Sequence, residues 1–161
     1  MKIILSIIIM FLSTQSFADL KGKALICDIK EDNAEKNEYK DFNIDAYIFY
    51  SSKKYKKMYI GYTSKKATLY TFEEKYSTDP DYIYFGNNNS ADSVNKVNRK
   101  TLEYTFYWET GGSPSFILRD SGTCKVVNDI KALERRMENI RDKLQESLDK
   151  KYQDKSKGNK I

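Results

Sequence analysis

The chain of 161 residues contains no histidine. That removes Ser–His and Cys–His nucleophilic sites, and with them the usual zinc ligands. There are two cysteines, Cys27 and Cys124, and they are far apart. No Cys-x-x-Cys pair exists, which excludes a dithiol redox site of that kind. The seven glycines form neither a phosphate-cradling loop nor a dinucleotide fingerprint. Beyond the first dozen residues, no apolar run approaches the roughly 20 residues that a membrane-spanning helix needs. Strong charge of one sign is also missing. The formal net charge is +5, with lysines and acids mixed along the chain and most of the excess near the C-terminus. A dedicated nucleic-acid binder would carry a concentrated basic face, so nucleic acid is not an expected partner.

What is present begins with an export signal. Lys2 supplies a positive start, Ile3–Leu12 are almost wholly apolar, and Ser16-Phe17-Ala18 offers a small-x-small cleavage site. Residues 1–18 therefore read as a signal peptide, cut before Asp19. The protein is expected to be exported, either periplasmic or secreted. In an oxidising compartment a lone cysteine pair forms a disulfide, so Cys27 and Cys124 are expected to be joined.

Between the cysteines, strand patterns dominate. Lys23–Ile29, Phe42–Tyr50, Tyr55–Tyr62, Ala67–Glu73, Asp81–Gly86 and Thr101–Trp108 alternate or are rich in aromatic and β-branched residues. Ser115–Arg119 and Thr123–Val127 flank Asp120-Ser121-Gly122 and read as a final hairpin. Short polar connections favour an antiparallel meander over parallel crossovers. The expected fold class is mainly β. About eight strands close into a small barrel, or a two-sheet sandwich, over residues 19–127. A helix after the last strand is shared with secreted barrels of the lipocalin kind. The glycine–tryptophan signature that those carry near the first strand is absent here.

Residues 128–153 read as one amphipathic helix, with Asn128 as the N-cap and 154–161 as a disordered tail. Ile130, Leu133, Met137, Ile140 and Leu144 are spaced 3, 4, 3 and 4, and Leu148 extends the stripe. This narrow seam resembles a coiled coil. A lone helix is marginal in water, so the seam needs a partner. The candidates are the chain's own barrel, a second copy in a homodimer, or another protein.

Three sets of residues could carry function. Lys53, Lys54, Tyr55, Lys56 and Lys57, with Lys65 and Lys66, interleave cations with rings and could meet an anionic lipid or glycolipid. The acids Glu73, Glu74, Asp79, Asp81, Glu103 and Glu109 could supply a carboxylate pair for a glycan hydrolase. Asn87, Asn89, Ser90 and Asp92 offer oxygens but lack the EF-hand spacing. No cofactor is implied. The reading that asks least of the residues is an exported, non-catalytic barrel. It would bind a small apolar or aromatic ligand, or a protein partner. Electrostatic adsorption and carboxylate hydrolysis are the alternatives.

Overall fold

The computed structural model describes residues 20–31, 39–86, 93–109 and 116–158. Residues 1–18, expected to be a signal peptide, the candidate oxygens of Asn87–Asp92, residues 110–115 and the last three residues lie outside the described residues.

Eight antiparallel strands form a closed barrel: β1 (Lys23–Glu31), β2 (Ile44–Phe49), β3 (Lys54–Tyr62), β4 (Ala67–Thr78), β5 (Tyr82–Phe85), β6 (Ser93–Asn98), β7 (Glu103–Glu109) and β8 (Phe116–Val127). Each strand pairs with its sequence neighbour, and β8 returns to β1. In that closing seam Cys27 stands directly opposite Cys124, and the two form a disulfide. One helix, α1 (Ile130–Gly158), follows.

Two expectations about strands are corrected. The final hairpin does not exist: β8 runs unbroken through Asp120-Ser121-Gly122. Gly122 serves closeness rather than a turn. A Cβ built there would lie 2.2 Å from the Asp28 carbonyl oxygen, so only glycine lets β8 approach β1. The polar run Ser93–Asn98, absent from the expected strands, is a strand of its own that pairs with both β5 and β7. The total of eight thus stands on a different division of the chain.

Alternation divides the strand residues between two cores. Leu25, Cys27, Tyr47, Phe49, Tyr55, Tyr76, Phe85, Val97, Tyr104 and Cys124 point inward and fill the barrel. Aromatic rings dominate: Tyr47 stacks on Phe85 at 4.1 Å, and Phe49 meets Tyr76 edge-on at 4.9 Å. The outward residues Ala24, Ile26, Ala46, Ile48 and Met58 pack against Leu133 and Met137 of α1. Ala67 packs against Leu144 and Leu148 further along the helix. The alanines matter because a small side chain lets a helix lie close to a sheet.

The stripe's partner is therefore the chain's own barrel. Leu133, Met137, Leu144 and Leu148 are buried, and Ile130 and Ile140 are partly so. The helix N-cap is Asp129 rather than Asn128, because Asp129 Oδ1 accepts the Ala132 amide at 2.9 Å. The helix also continues to Gly158, past the expected end at residue 153. Glu146 and Lys150, one turn apart on the helix, pair at 2.7 Å.

Candidate functional site

The lysine-rich stretch of β3 does not form one surface. Period two sends Tyr55, Lys57 and Tyr59 inward and Lys56 outward. Tyr55 is buried in the barrel and donates its hydroxyl to Glu74 at 2.6 Å. Lys56 reaches the helix and pairs with Glu134 at 2.5 Å. Lys53 and Lys54 are exposed at the β2–β3 turn, where the Ser51 hydroxyl accepts both amides. Lys65 and Lys66 lie at the other end of β3, with the Lys65 Nζ 5.1 Å from the centre of the Tyr152 ring.

Lys57 is the displaced member, and it marks a site. Its Nζ lies 2.5 Å from Asp45 Oδ2 inside the barrel, with side chains only 18% and 11% exposed. Tyr47 donates its hydroxyl to the same Asp45 oxygen at 3.0 Å. The ammonium group also lies 5.5 Å from the Tyr47 ring, 5.4 Å from Tyr59 and 6.0 Å from Phe72. Paired charge and facing rings together make a buried cation tolerable.

Above this pair the barrel opens into a cavity of about 260 Å³, lined by Asp45, Lys57, Tyr59, Asn95, Tyr104 and Asp120 among others. Burial raises the Tyr47 phenol well above its ordinary range, and the Asp45 charge raises it further. Tyr104 shifts upward for the same reasons, with Asp120 adding to the effect. Both rings are therefore neutral hydroxyl groups across the physiological range. Asn95 Oδ1 is buried without a hydrogen-bond partner among the described residues. An orphaned acceptor at the wall of a cavity is a group that a ligand donor or a water would satisfy.

One side of the mouth is aromatic. Tyr59 stacks on Tyr70 at 5.2 Å and meets Phe72 edge-on at 5.9 Å. These residues face inward, yet Tyr70 is 47% exposed and Phe72 36%. Gly61 makes room for them: a Cβ there would come within 2.8 Å of the Tyr70 ring.

No family model, curated protein or solved structure matches this chain. The chemistry of the mouth must speak for itself.

The acids singled out in the sequence are mostly structural. Asp79 accepts the amides of Asp81 and Tyr82 and the Tyr84 hydroxyl, all within 2.8 Å. The Tyr84 hydrogen bond is the main cause of its depressed pKa. Asp81 pairs with Lys100, and Glu73 accepts from Tyr50. The two acids at the mouth, Asp45 and Asp120, were not among the candidates. Asp45 already carries Lys57 and Tyr47, so it is committed to holding the site together. Among the described residues, no group of three histidine, cysteine or acidic side chains is placed to hold a metal.

Proposed function

We propose that this is an exported, non-catalytic barrel whose mouth holds a small ligand with an aromatic or apolar face. One observation carries the reading. An inward-facing wall of Tyr59, Tyr70 and Phe72, the last two exposed, stands beside a largely buried Lys57–Asp45 pair and, among the described residues, an unsatisfied Asn95 oxygen. Such a mouth has rings for stacking and a few fixed polar groups for orientation, the usual composition of a small-molecule site. Export rests on the charged and apolar pattern of residues 1–18, and on a disulfide suited to an oxidising compartment.

The test uses 1-anilinonaphthalene-8-sulfonate as an aromatic probe, followed by fluorescence. Tyr70 and Phe72 are exposed, so a Tyr70→Ser, Phe72→Ser double variant keeps its fold, checked by circular dichroism. It should bind the probe about tenfold more weakly, a loss of about 1.4 kcal/mol. Equal binding by both proteins would remove the mouth as the site.

A second reading, contact with an anionic surface, has support from a different place than the lysine turn. A groove between α1 and β2 is lined by Arg135, Arg136 and Lys143 over Ile44 and Ile140, with no acid in its lining among the described residues. Binding to phosphatidylglycerol vesicles that fades with salt would support it. So would loss of that binding in the Arg135→Gln, Arg136→Gln, Lys143→Gln variant. Vesicle binding identical in the two proteins would end it.

A further inference from the structure

β4 has an open edge. Residues 67–75 pair with β3 on one side, but on the other side only Tyr76, Ser77 and Thr78 meet β5. Main-chain groups alternate in direction along a strand, so alternate residues of β4 face away from β3. Two observations fix which ones. The Lys75 carbonyl accepts the Gly86 amide at 3.0 Å, and the Ala67 amide donates to Gln145 Oε1 at 2.8 Å. Residues 67, 69, 71, 73 and 75 therefore face the open side. The edge is capped at both ends, by Gln145 and by Gly86. Between the caps, among the described residues, the N–H and C=O groups of Leu69, Thr71 and Glu73 have no protein partner. Every residue from Tyr70 to Lys75 is exposed, as a strand must be when neither its edge nor its inward face is covered.

An exposed edge is a template for another strand, and proteins usually blunt it with charge. Glu73, Glu74 and Lys75 do so at one end. Leu69-Tyr70-Thr71-Phe72 carries no charge at all.

We propose that this edge pairs with the same edge of a second copy, antiparallel about a two-fold axis through Thr71. The register is self-complementary. Thr71 meets Thr71 of the other copy, and Leu69 meets Glu73, which gives roughly six main-chain hydrogen bonds. Tyr70 of one copy falls opposite Phe72 of the other, twice over, and both side chains lie on the inward face. Aromatic cross-strand pairs of this kind stabilise a ladder. Glu73 and Glu74 fall opposite Leu69 and Thr68, so no like charges confront each other. Each copy thereby extends the other's aromatic wall. The pairing depends on the main chain of β4 and not on the mouth's ligand.

Sedimentation equilibrium tests it, run from low to high micromolar concentration on the full exported protein. The wild type should approach twice the chain mass. Thr71→Pro removes an N–H that serves only the open edge, and it should halve that mass while the circular dichroism spectrum stays the same. Thr71→Lys sets two like charges face to face at the axis and should do the same. It also covers the case in which the proline variant fails to fold. In the dimer the amides of Leu69, Thr71 and Glu73 should exchange slowly with deuterium. A wild type that is monomeric throughout, or paired only with a foreign peptide, overturns the proposal. So does a dimer that survives Thr71→Lys, or one whose three amides exchange freely.

Discussion

Lys57 and Asp45 form an ion pair inside the barrel, on adjacent strands, where most of each side chain is withheld from water. A pair in such surroundings is asymmetric in its energetics. Removing one partner leaves a charge with poor solvation, which costs about 3–5 kcal/mol. Replacing both with apolar groups of similar volume is often neutral. Asp45→Asn and Lys57→Met should each lower the urea midpoint sharply. The Asp45→Leu, Lys57→Met double variant should recover most of the loss. Equal and additive losses would mean that the two groups act independently.

Breaking the Cys27–Cys124 link should cost stability without changing the fold. The bonded residues are 97 apart in sequence. In the chain-entropy model a loop of that order contributes up to about 4.7 kcal/mol by restricting the unfolded chain. A Cys27→Ser, Cys124→Ser variant should keep its far-ultraviolet spectrum and unfold at lower denaturant. An unchanged midpoint would contradict this.

Two glycines should respond in opposite ways to alanine. At Gly122 the new Cβ meets the Asp28 backbone, which is held in the β1–β8 seam and cannot retreat. Gly122→Ala should destabilise by about 1–3 kcal/mol, in the range of overpacking. At Gly61 the new Cβ meets the ring of exposed Tyr70, which can swing away. Gly61→Ala should therefore leave the melting temperature nearly unchanged and alter aromatic probe binding instead. A reversed pattern would refute both assignments.

Alkaline pH should unfold the barrel through its tyrosines. The phenols of Tyr47, Tyr55 and Tyr104 are all raised, in each case first by burial. Their protons are held more tightly in the folded state. Stability is therefore complete below an unfolded phenol's pKa of about 10 and falls as pH rises beyond it. Exposed phenols should ionise reversibly, whereas these three should ionise only together with loss of structure. Phenolate absorbance that completes its rise before any change in circular dichroism would contradict the coupling.

The architecture was legible wherever alternation was strong, as in β2, β3 and β7. It was obscured in two places for identifiable reasons. Asp120-Ser121-Gly122 has the composition of a turn, but its glycine answers to the nearness of β1, a long-range fact that local chemistry does not carry. β6 has only Val94 and Val97 as apolar residues, so it gave no period of its own. It is a strand because β5 and β7 hold it from both sides. The mouth was partly readable. Tyr55, Lys57 and Tyr59 share parity with a buried aromatic, yet the neighbouring lysines made Lys57 look like a surface residue. The roles of Asn95 and Asp120 required the closed barrel, since neither lies near Lys57 in sequence.

The helix gives the barrel two unequal halves. β1 to β3 are sheltered on both faces, by the aromatic filling within and by α1 without, and α1 also covers the start of β4 at Ala67. β5 to β7 and most of β8 have, among the described residues, the filling alone; Val127 meets the helix, while Glu103, Thr123 and Lys125 stand exposed on the outer side. Local opening follows buried contact, so the molecule has a stiff flank and a soft one. The soft flank supplies Asn95, Tyr104 and Asp120 to the mouth, and the stiff flank supplies Asp45, Lys57 and Tyr59. A guest entering there would be gripped between an anvil that stays still and a wall that can breathe.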